Sequence, residues 1–235
     1  MIDIHPPQHA ATTRRDFFIH LTTVVLGILI AIGLEQTVEY FHRQHQLSEL
    51  RAGAIEDARI YLHDTDENRA ANTRQIEDLT IRIQQVHDAM LQHRPLPPPA
   101  YRPALTISTI RLGNLSAAKA SGLINLLSKD EINSATDAEV GAVKSEALKT
   151  RAQEAATKRT AFEQRFQMGF PSGSFDFSRI TPAQLDEYLG LLLDERVRRT
   201  ETLAYLDEMH RGSEAYLNGQ RSLEKLREAQ ESTSH

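Results

Sequence analysis

A long apolar segment near the start of the chain, interrupted only by His20 and two threonines, constrains the fold more than any other feature. Residues 17–34 read FFIHLTTVVLGILIAIGL and contain no Asp, Glu, Lys or Arg. As a helix, this segment is about 27 Å long, close to the hydrocarbon thickness of a bilayer at about 30 Å. Because it is apolar on every side, whereas a helix buried in a soluble domain is usually amphipathic, it predicts a transmembrane helix.

A rival interpretation is that this segment is a secretory signal and is removed. Ala31-Ile32-Gly33 has the small-x-small pattern that a signal peptidase recognises. The apolar run is longer than the hydrophobic region of about 7 to 15 residues in such signals, and it continues without a turn signal into an amphipathic helix. We therefore expect it to be retained as an anchor.

The charges that flank the anchor predict its orientation. Arg14 and Arg15 lie directly before it, whereas Glu35 and Glu39 follow it. Positive residues accumulate on the cytoplasmic side of a membrane helix. We therefore expect the N-terminus in the cytoplasm and the polar remainder of the chain on the other side of the membrane.

The two arginines also belong to a second pattern. From Thr13 the chain reads TRRDFF, which resembles the twin-arginine export signal. Two arginines before an anchor can equally serve only to set its orientation, so both interpretations stay open. Each of them places the domain that follows outside the cytoplasm.

One pair of small residues in the anchor is a candidate contact between membrane helices. Gly27 and Ala31 are four residues apart and share a helix face. This small-xxx-small spacing lets two transmembrane helices approach closely. It is compatible with a homo-oligomer or with a separate protein partner.

The composition of the chain favours helices and excludes several functions. Aromatic residues make up 6% of the chain, and Ala, Leu, Glu, Arg and Gln are abundant, so an all-α fold is expected. The net charge is −5 and the two signs alternate, which argues against nucleic acid as a partner. The absence of Cys excludes disulfides, thiolate catalysis and zinc–thiolate sites.

A long helix is predicted directly after the anchor, because no Pro occurs between Gln8 and Arg94. A heptad-spaced set of mainly apolar residues supports this prediction. In the middle of the set, Thr65, Arg69 and Asn72 leave two alternatives: a seam that opens to water or a partner, or a bend where Asp64 or Thr65 caps a new helix. We favour a continuous helix. The predicted set is Ile55, Ala58, Leu62, Thr65, Arg69, Asn72, Ile76, Leu79, Ile83, Val86 and Met90.

Further helices are expected after a Pro-rich connector at residues 93–103. A short helix should begin at Leu115, capped by Asn114, and stop at Gly122. Capping boxes at Ser128-Lys-Asp-Glu131 and Thr181-Pro-Ala-Gln184 open two long helices, 129–168 and 182–228. The residues expected to be buried are Ile132, Ala135, Val143, Ala147, Phe162 and Phe166 in the first, and Leu185, Leu189, Leu192, Leu203, Leu206, Tyr216 and Leu217 in the second.

Together these elements predict an anchor that continues into a long helix, which packs against a distal antiparallel helical bundle. The expected domains are a cytoplasmic tail at 1–16, the transmembrane helix at 17–34, a stalk helix at 35–92, the connector at 93–103, the bundle at 104–228 and a frayed tail at 229–235.

The chain contains few patterns that indicate chemistry. Glu39-x-x-His42 has the spacing of di-iron bundles, but such a site needs a second pair, and no other Glu-x-x-His occurs. Asp64-x-Asp66-x-Asn68 resembles the start of a calcium loop but lacks the required Gly and closing Glu. We therefore predict no catalytic, cofactor or metal site.

The first 45 or so residues resemble an uncharacterised family of bacterial single-anchor inner-membrane proteins. The segment RRDFFIHLTTVVLGILIAIGLEQTVEY carries this resemblance, with the later Ala118-x-x-Ser121-Gly122 as a looser match. The resemblance implies a bacterial inner-membrane protein, and it implies no activity.

The expected function is therefore that of a non-catalytic, membrane-anchored interaction or scaffold protein, an accessory subunit of a larger envelope complex. One alternative is a periplasmic ligand-sensing bundle that works through a partner, since a cytoplasmic tail of roughly 16 residues is too short for an output domain. A more remote alternative is a metal-dependent enzyme that uses Glu39 and His42.

Overall fold

The computed structural model describes residues 14–99, 112–168 and 174–231. The first 13 residues of the predicted cytoplasmic tail, residues 100–103 of the connector and residues 232–235 of the tail lie outside this part. The described helices are α1 (Arg14–Gln92), α2 (Gly113–Ala120), a 3₁₀ helix (Leu123–Leu126), α3 (Lys129–Gln164), α4 (Pro182–Leu217) and α5 (Leu223–Glu231). Two short antiparallel strands, β1 (Gln167–Met168) and β2 (Ser174–Phe175), join α3 to α4.

The chain divides into two compact units, residues 1–49 and residues 50–235. In the first unit, α1 is long and apolar enough to cross a membrane, and its most apolar window has no buried residue. The hydroxyls of Thr23 and Thr37 donate to the carbonyls of Ile19 and Gly33 at 2.9 and 2.7 Å. These bonds satisfy polar groups within the helix itself, as an apolar solvent requires.

The second unit is a helical bundle, which confirms the all-α prediction. Its main core is apolar and aromatic, and it joins α1 to α3 and α4. The buried members of this core are Leu79, Val86, Ala89, Leu96, Phe162, Phe177, Leu185, Tyr188 and Leu192. The helix α1 is unbroken through residues 63–75, so the predicted continuity is also confirmed.

Side-chain bonds along the bundle give the directions of its helices. Arg51 of α1 bonds to Glu131 at the start of α3 at 2.8 Å, and Val86, further along α1, shares a core with Phe162 near the end of α3, so α1 and α3 run parallel. Arg69 reaches Asp207 at 2.6 Å, and Arg82, further along α1, bonds to Tyr188 near the start of α4. Therefore α4 runs antiparallel to both, and the chain between α1 and α3 returns to the end of the bundle where Arg51 lies.

The buried face of α1 is close to the predicted one but differs from it at about every second residue of the predicted heptad set. The predicted Leu62, Ile76, Ile83 and Met90 are half-buried. The residues that precede Leu62, Ile83 and Met90 are buried, and Gln75, before Ile76, is half-buried as well. The apolar pattern predicted the wrong one of two adjacent residues, because side chains of other helices pack against polar residues at these positions. The buried residues of α1 are Asp57, Tyr61, Thr65, Asn68, Ala71, Asn72, Leu79, Arg82, Val86 and Ala89.

The polar middle of α1 is enclosed within the unbroken helix, so the predicted bend is wrong, and so is the predicted opening of the seam to water. Thr65 and Asn72 are fully buried, and Asn72 donates to the carbonyl of Asn68 at 2.9 Å. Arg69 lies at the edge, where it pairs with Asp207 of α4. The seam therefore neither opens to water nor bends the helix.

Both predicted capping boxes are present, at Ser128–Glu131 and at Thr181–Gln184. The end of α4 is a correction, because the predicted single helix 182–228 stops at Leu217. Gly219 has φ +91°, a left-handed conformation that interrupts a helix, and α5 begins after it.

The interior of α3 is a further correction, since Val143 and Ala147 are exposed. Small residues face α4 instead. A Cβ on Gly141 would come within 2.6 Å of the Met209 methyl, and the carbonyl of Gly141 accepts a bond from Tyr205 at 3.2 Å. Close approach of α4 to α3 therefore decides which face of α3 is buried.

Candidate functional site

A partly open cavity of about 120 Å³ lies at one end of the bundle. Residues of α1, the segment 112–127, α3, α4 and α5 line it. Its wall is mainly apolar, with side chains such as Ala58, Leu115, Met209 and Leu226. Cavities that bind small molecules have this character, an apolar wall with a few polar groups.

An ion pair forms part of the cavity wall. The Arg51 guanidinium donates to both carboxylate oxygens of Glu131, at 2.8 and 3.3 Å. Glu131 also accepts a bond from the backbone N–H of Ser128, which is the N-cap residue of α3. These bonds, that from Arg51 foremost, lower the pKa of Glu131 to about 2.

A buried carboxylate holds a second part of the wall in place. Asp57, which is 4% exposed, accepts bonds from the backbone N–H groups of Asn114 and Leu115 at 3.2 and 2.8 Å. The Asn114 amide donates to the same carboxylate at 2.9 Å. Asn114 was predicted to cap α2, and this prediction is wrong: Leu112 occupies the cap position, and Asp57 of α1 satisfies the helix start.

Tyr61 is the polar group of the wall that is left unsatisfied. The residue is 3% exposed and lines the cavity. Within the described part of the chain its hydroxyl has no hydrogen-bond partner. Burial raises the pKa of Tyr61, so the hydroxyl keeps its proton and can donate it in a hydrogen bond.

A charged layer joins the end of α3 to the first half of α4; it is formed by Arg159, Glu163 and Glu195 with the neighbouring Tyr188 and Arg199. Glu195, 1% exposed, bridges Arg159 at 2.6 Å and Arg199 at 2.8 Å. Arg159 also pairs with Glu163 at 2.9 Å, and Glu163 accepts a bond from the Tyr188 hydroxyl. The carboxylates are thus occupied in holding α3 to α4.

Arg82 extends this network to α1. Its Nε donates to the Tyr188 hydroxyl at 3.0 Å, and its Nη1 donates to the carbonyl of Pro97 at 2.6 Å. The guanidinium lies 5.1 and 5.4 Å from the ring centres of Phe177 and Tyr188, within the range of cation–π attraction. Arg82 is 2% exposed, so it is a core residue despite its charge.

The residues singled out in the apolar segment lie on the exposed surface of α1. No described atom other than its own helix lies within 4 Å of a Cβ built on Gly27, and Ala31 is exposed as well. Their predicted contact with a second membrane helix stays a prediction. Glu39 pairs with Arg43 at 2.6 Å rather than with His42, which is exposed.

The calcium-like stretch is helical, and Asn68 is buried, so Asp64-x-Asp66-x-Asn68 does not form a calcium loop. Ligand atoms of His63, Asp64 and Glu67 lie within 4.8 Å of one another on the surface of α1. Exposed acidic groups of this kind are common without an ion.

The cavity and the charged layer were both missed by the sequence analysis. For the charged layer, the available signal was a second heptad-spaced set on α1, in which the polar residues Tyr61, Asn68 and Arg82 are separated by multiples of seven. Residues at this spacing share one face of a helix, so the set would have indicated a polar interior face. The cavity had no comparable signal, because its wall comes from distant parts of the chain.

Comparison of the chain with protein-family models, curated proteins and solved structures finds no match. Its function must be inferred from its own residues.

Proposed function

We propose that this chain is a non-catalytic, membrane-anchored interaction protein of the bacterial inner membrane. Residues 17–34 span the bilayer with the N-terminus in the cytoplasm, and the bundle lies in the periplasm, where it acts as a scaffold or accessory subunit of a larger envelope complex. The resemblance to single-anchor inner-membrane proteins supports the compartment, and the arginines at positions 14 and 15 support the orientation.

The observation that carries this proposal is the complete exposure of an apolar stretch of α1, whose most apolar window has no buried residue. Such a surface is unfavourable in water at about 25 cal/mol per Å². A lipid bilayer removes this cost, because lipid chains are as apolar as the side chains. Membrane insertion therefore accounts for a surface that folding of the chain leaves uncovered.

The non-catalytic part of the proposal is supported by how the bundle uses its interior carboxylates. Glu195 and Glu163 hold arginines, and Asp57 caps α2. A general acid or base must reach a substrate proton. These three groups are instead committed to structural partners.

The scaffold role is tested by photo-cross-linking in intact cells. A photoreactive residue replaces Val143, which is 72% exposed on α3, and a control chain carries it at the exposed polar Glu154 of the same helix. We expect adducts larger than the monomer at Val143 and weaker or different ones at Glu154. Recovery of monomer alone from both chains would contradict the proposal.

The topology is tested by a reporter enzyme at the C-terminus that is active only in the periplasm. Activity in the membrane fraction, with an N-terminal tag still attached, is the expected result. A soluble, active reporter that has lost the tag would show that the segment is a cleaved signal.

A second candidate function, a ligand-sensing bundle that works through a partner, is favoured by the cavity. It predicts that a bound ligand changes the adducts formed at Val143. Adducts that stay the same with the cavity filled would remove this candidate and leave the scaffold role untouched.

A further inference from the structure

We propose that the cavity binds a small, uncharged, mainly apolar molecule that carries one hydrogen-bond acceptor for Tyr61, of the size of a single-ring phenol. This inference names the ligand class of the sensing function proposed above and rests on it for its biological role. The binding itself depends only on the geometry of the cavity.

The volume of the cavity sets the size of the ligand. About 120 Å³ is close to the roughly 150 Å³ of an apolar protein cavity that accepts benzene. A single water occupies far less space and needs two to four polar partners. The apolar wall beside Tyr61, with Ala58 and Met209, therefore favours an organic ligand over one ordered water.

The charges of the wall indicate that the ligand is neutral. Arg51 and Glu131 neutralise each other at 2.8 Å, and Asp57 accepts three hydrogen bonds from Asn114 and Leu115. A charged ligand would have to break one of these arrangements or be buried without a counter-ion, and either is costly.

The Tyr61 hydroxyl supplies the polar contact. It is buried without a partner in the described residues, an arrangement that costs about 1–3 kcal/mol. Ser134, another hydroxyl of the wall, already bonds to the carbonyls of Asp130 and Arg221 at 2.9 and 3.0 Å. Tyr61 is therefore the group that gains most from a ligand acceptor.

The test uses the full-length chain in lipid nanodiscs with methionine methyl groups labelled with ¹³C. Met209 lines the cavity and reports on it, and Met90, packed against the apolar core elsewhere, is an internal reference. The probes are 4-fluorophenol and fluorobenzene, which differ by one hydroxyl, and their free aqueous concentrations are measured to correct for uptake by lipid.

We expect both probes to shift the Met209 resonance in a saturable manner while the Met90 resonance stays in place. The phenol should bind about tenfold more tightly, because it gains the hydrogen bond to Tyr61. In Tyr61→Phe this ratio should fall to about one. A ratio that does not change in Tyr61→Phe would overturn the assigned contact.

A variant that fills the cavity is the second arm. Ala138→Leu adds volume to the cavity wall and should abolish the Met209 response to both probes, whereas Ala147→Leu on the exposed face of α3 should keep it. A Met90 resonance at its wild-type position shows that the bundle of the variant is folded. If Ala138→Leu unfolds the chain, the binding ratio in Tyr61→Phe remains the test of the site. A wild-type Met209 resonance that neither probe moves, or one that moves equally in Ala138→Leu, would overturn the site.

The experiments test the binding site and the sensing function separately. Saturable binding that depends on Tyr61 establishes the site whatever happens at Val143. Adducts at Val143 that do not respond to the bound phenol then remove only the sensing role.

Discussion

Two stretches of the same helix, α1, show opposite relations between polarity and burial. In residues 17–34 the side chains are apolar and exposed, with Leu29 at 60%. Further along, Asn68 and Arg82 are polar or charged and almost fully buried, at 1% and 2%. Apolar character alone therefore does not determine which residues of α1 are buried.

The difference teaches that the surroundings decide the placement of each side chain. An apolar residue is stable on a surface if that surface faces lipid. A charged residue can lie in a core if neighbouring groups compensate for the lost water, as the Tyr188 hydroxyl, the Pro97 carbonyl and the ring of Phe177 do for Arg82, although its Nη2 has no hydrogen-bond partner among the described residues. Four predictions test this comparison, from the largest expected effect to the smallest.

Charges placed in the apolar stretch should have the largest effect. Val25→Asp with Leu29→Asp should release the chain from the membrane fraction, because each carboxylate costs about 2.5–3.5 kcal/mol in the centre of a membrane helix. The matched control is Ile81→Asp with Val143→Asp, at exposed apolar positions of the bundle. We expect the control to fractionate as wild type, and equal fractionation of both pairs would refute the membrane assignment.

Removal of the central carboxylate of the charged layer should come next. Glu195→Ala leaves Arg159 and Arg199 without their shared partner and should lower the free energy of unfolding by about 3–5 kcal/mol. The control is Glu201→Ala, which breaks an exposed pair with Arg198 and should cost less than about 1 kcal/mol. Urea unfolding curves give both values, and a small effect at Glu195 would mean that the layer is hydrated.

The ion pair in the cavity wall should make stability depend on pH. The pKa of Glu131 is lowered from 4.5 to about 2 in the folded chain, chiefly by the bond from Arg51. Its contribution is therefore complete above about pH 4.5 and is lost as the pH falls towards 2. We expect a loss of about 1–2 kcal/mol, reduced from the full shift because the half-exposed Arg51 is screened by solvent.

The control for this pH effect is Glu131→Gln, which keeps the capping side chain but has no charge to lose. The free energy of unfolding of this variant should vary less between pH 5 and pH 2.5 than that of the wild type. Identical profiles would show that Glu131 does not carry the dependence.

The smallest effect concerns a buried hydroxyl. Thr65 is fully buried, and its Oγ1 has no hydrogen-bond partner among the described residues. Thr65→Val keeps the shape and removes the unpaired group, so it should stabilise the chain by about 1 kcal/mol. Thr73→Val, on the exposed face of α1, should change the melting temperature little. A loss of stability at Thr65 would indicate a buried water that bonds to the hydroxyl.

The local features of the fold were the ones predicted well from the sequence. The capping boxes at Ser128 and Thr181 and the stop at Gly122 depend on residues within four positions of one another, and all are present. The cap at Asn114 failed because the acceptor, Asp57, comes from 57 residues earlier in the chain. A short-range pattern cannot contain that bond.

The interior of the bundle shows the same limit. Leu62 was chosen over Tyr61, and Ile83 over Arg82, because only apolar character was considered. Which of two adjacent residues faces inward depends on the side chains that meet it, and for Arg82 these are Phe177 and Tyr188. Tyr188 lies on α4 and Phe177 in the segment before it, and the sequence does not show how this part of the chain packs against α1.

The sequence by itself determined where the long helices α3 and α4 start, that α1 continues without a break to Gln92, and that residues 17–34 are too apolar to be stable in water. These properties follow from backbone sterics, local hydrogen bonds and the summed polarity of a short segment. Only the tertiary structure decided the parallel course of α1 and α3, the enclosure of Arg82 and Glu195, and the cavity at Tyr61. Each of these arises where residues distant in the chain meet, because burial and pairing are properties of neighbours in space.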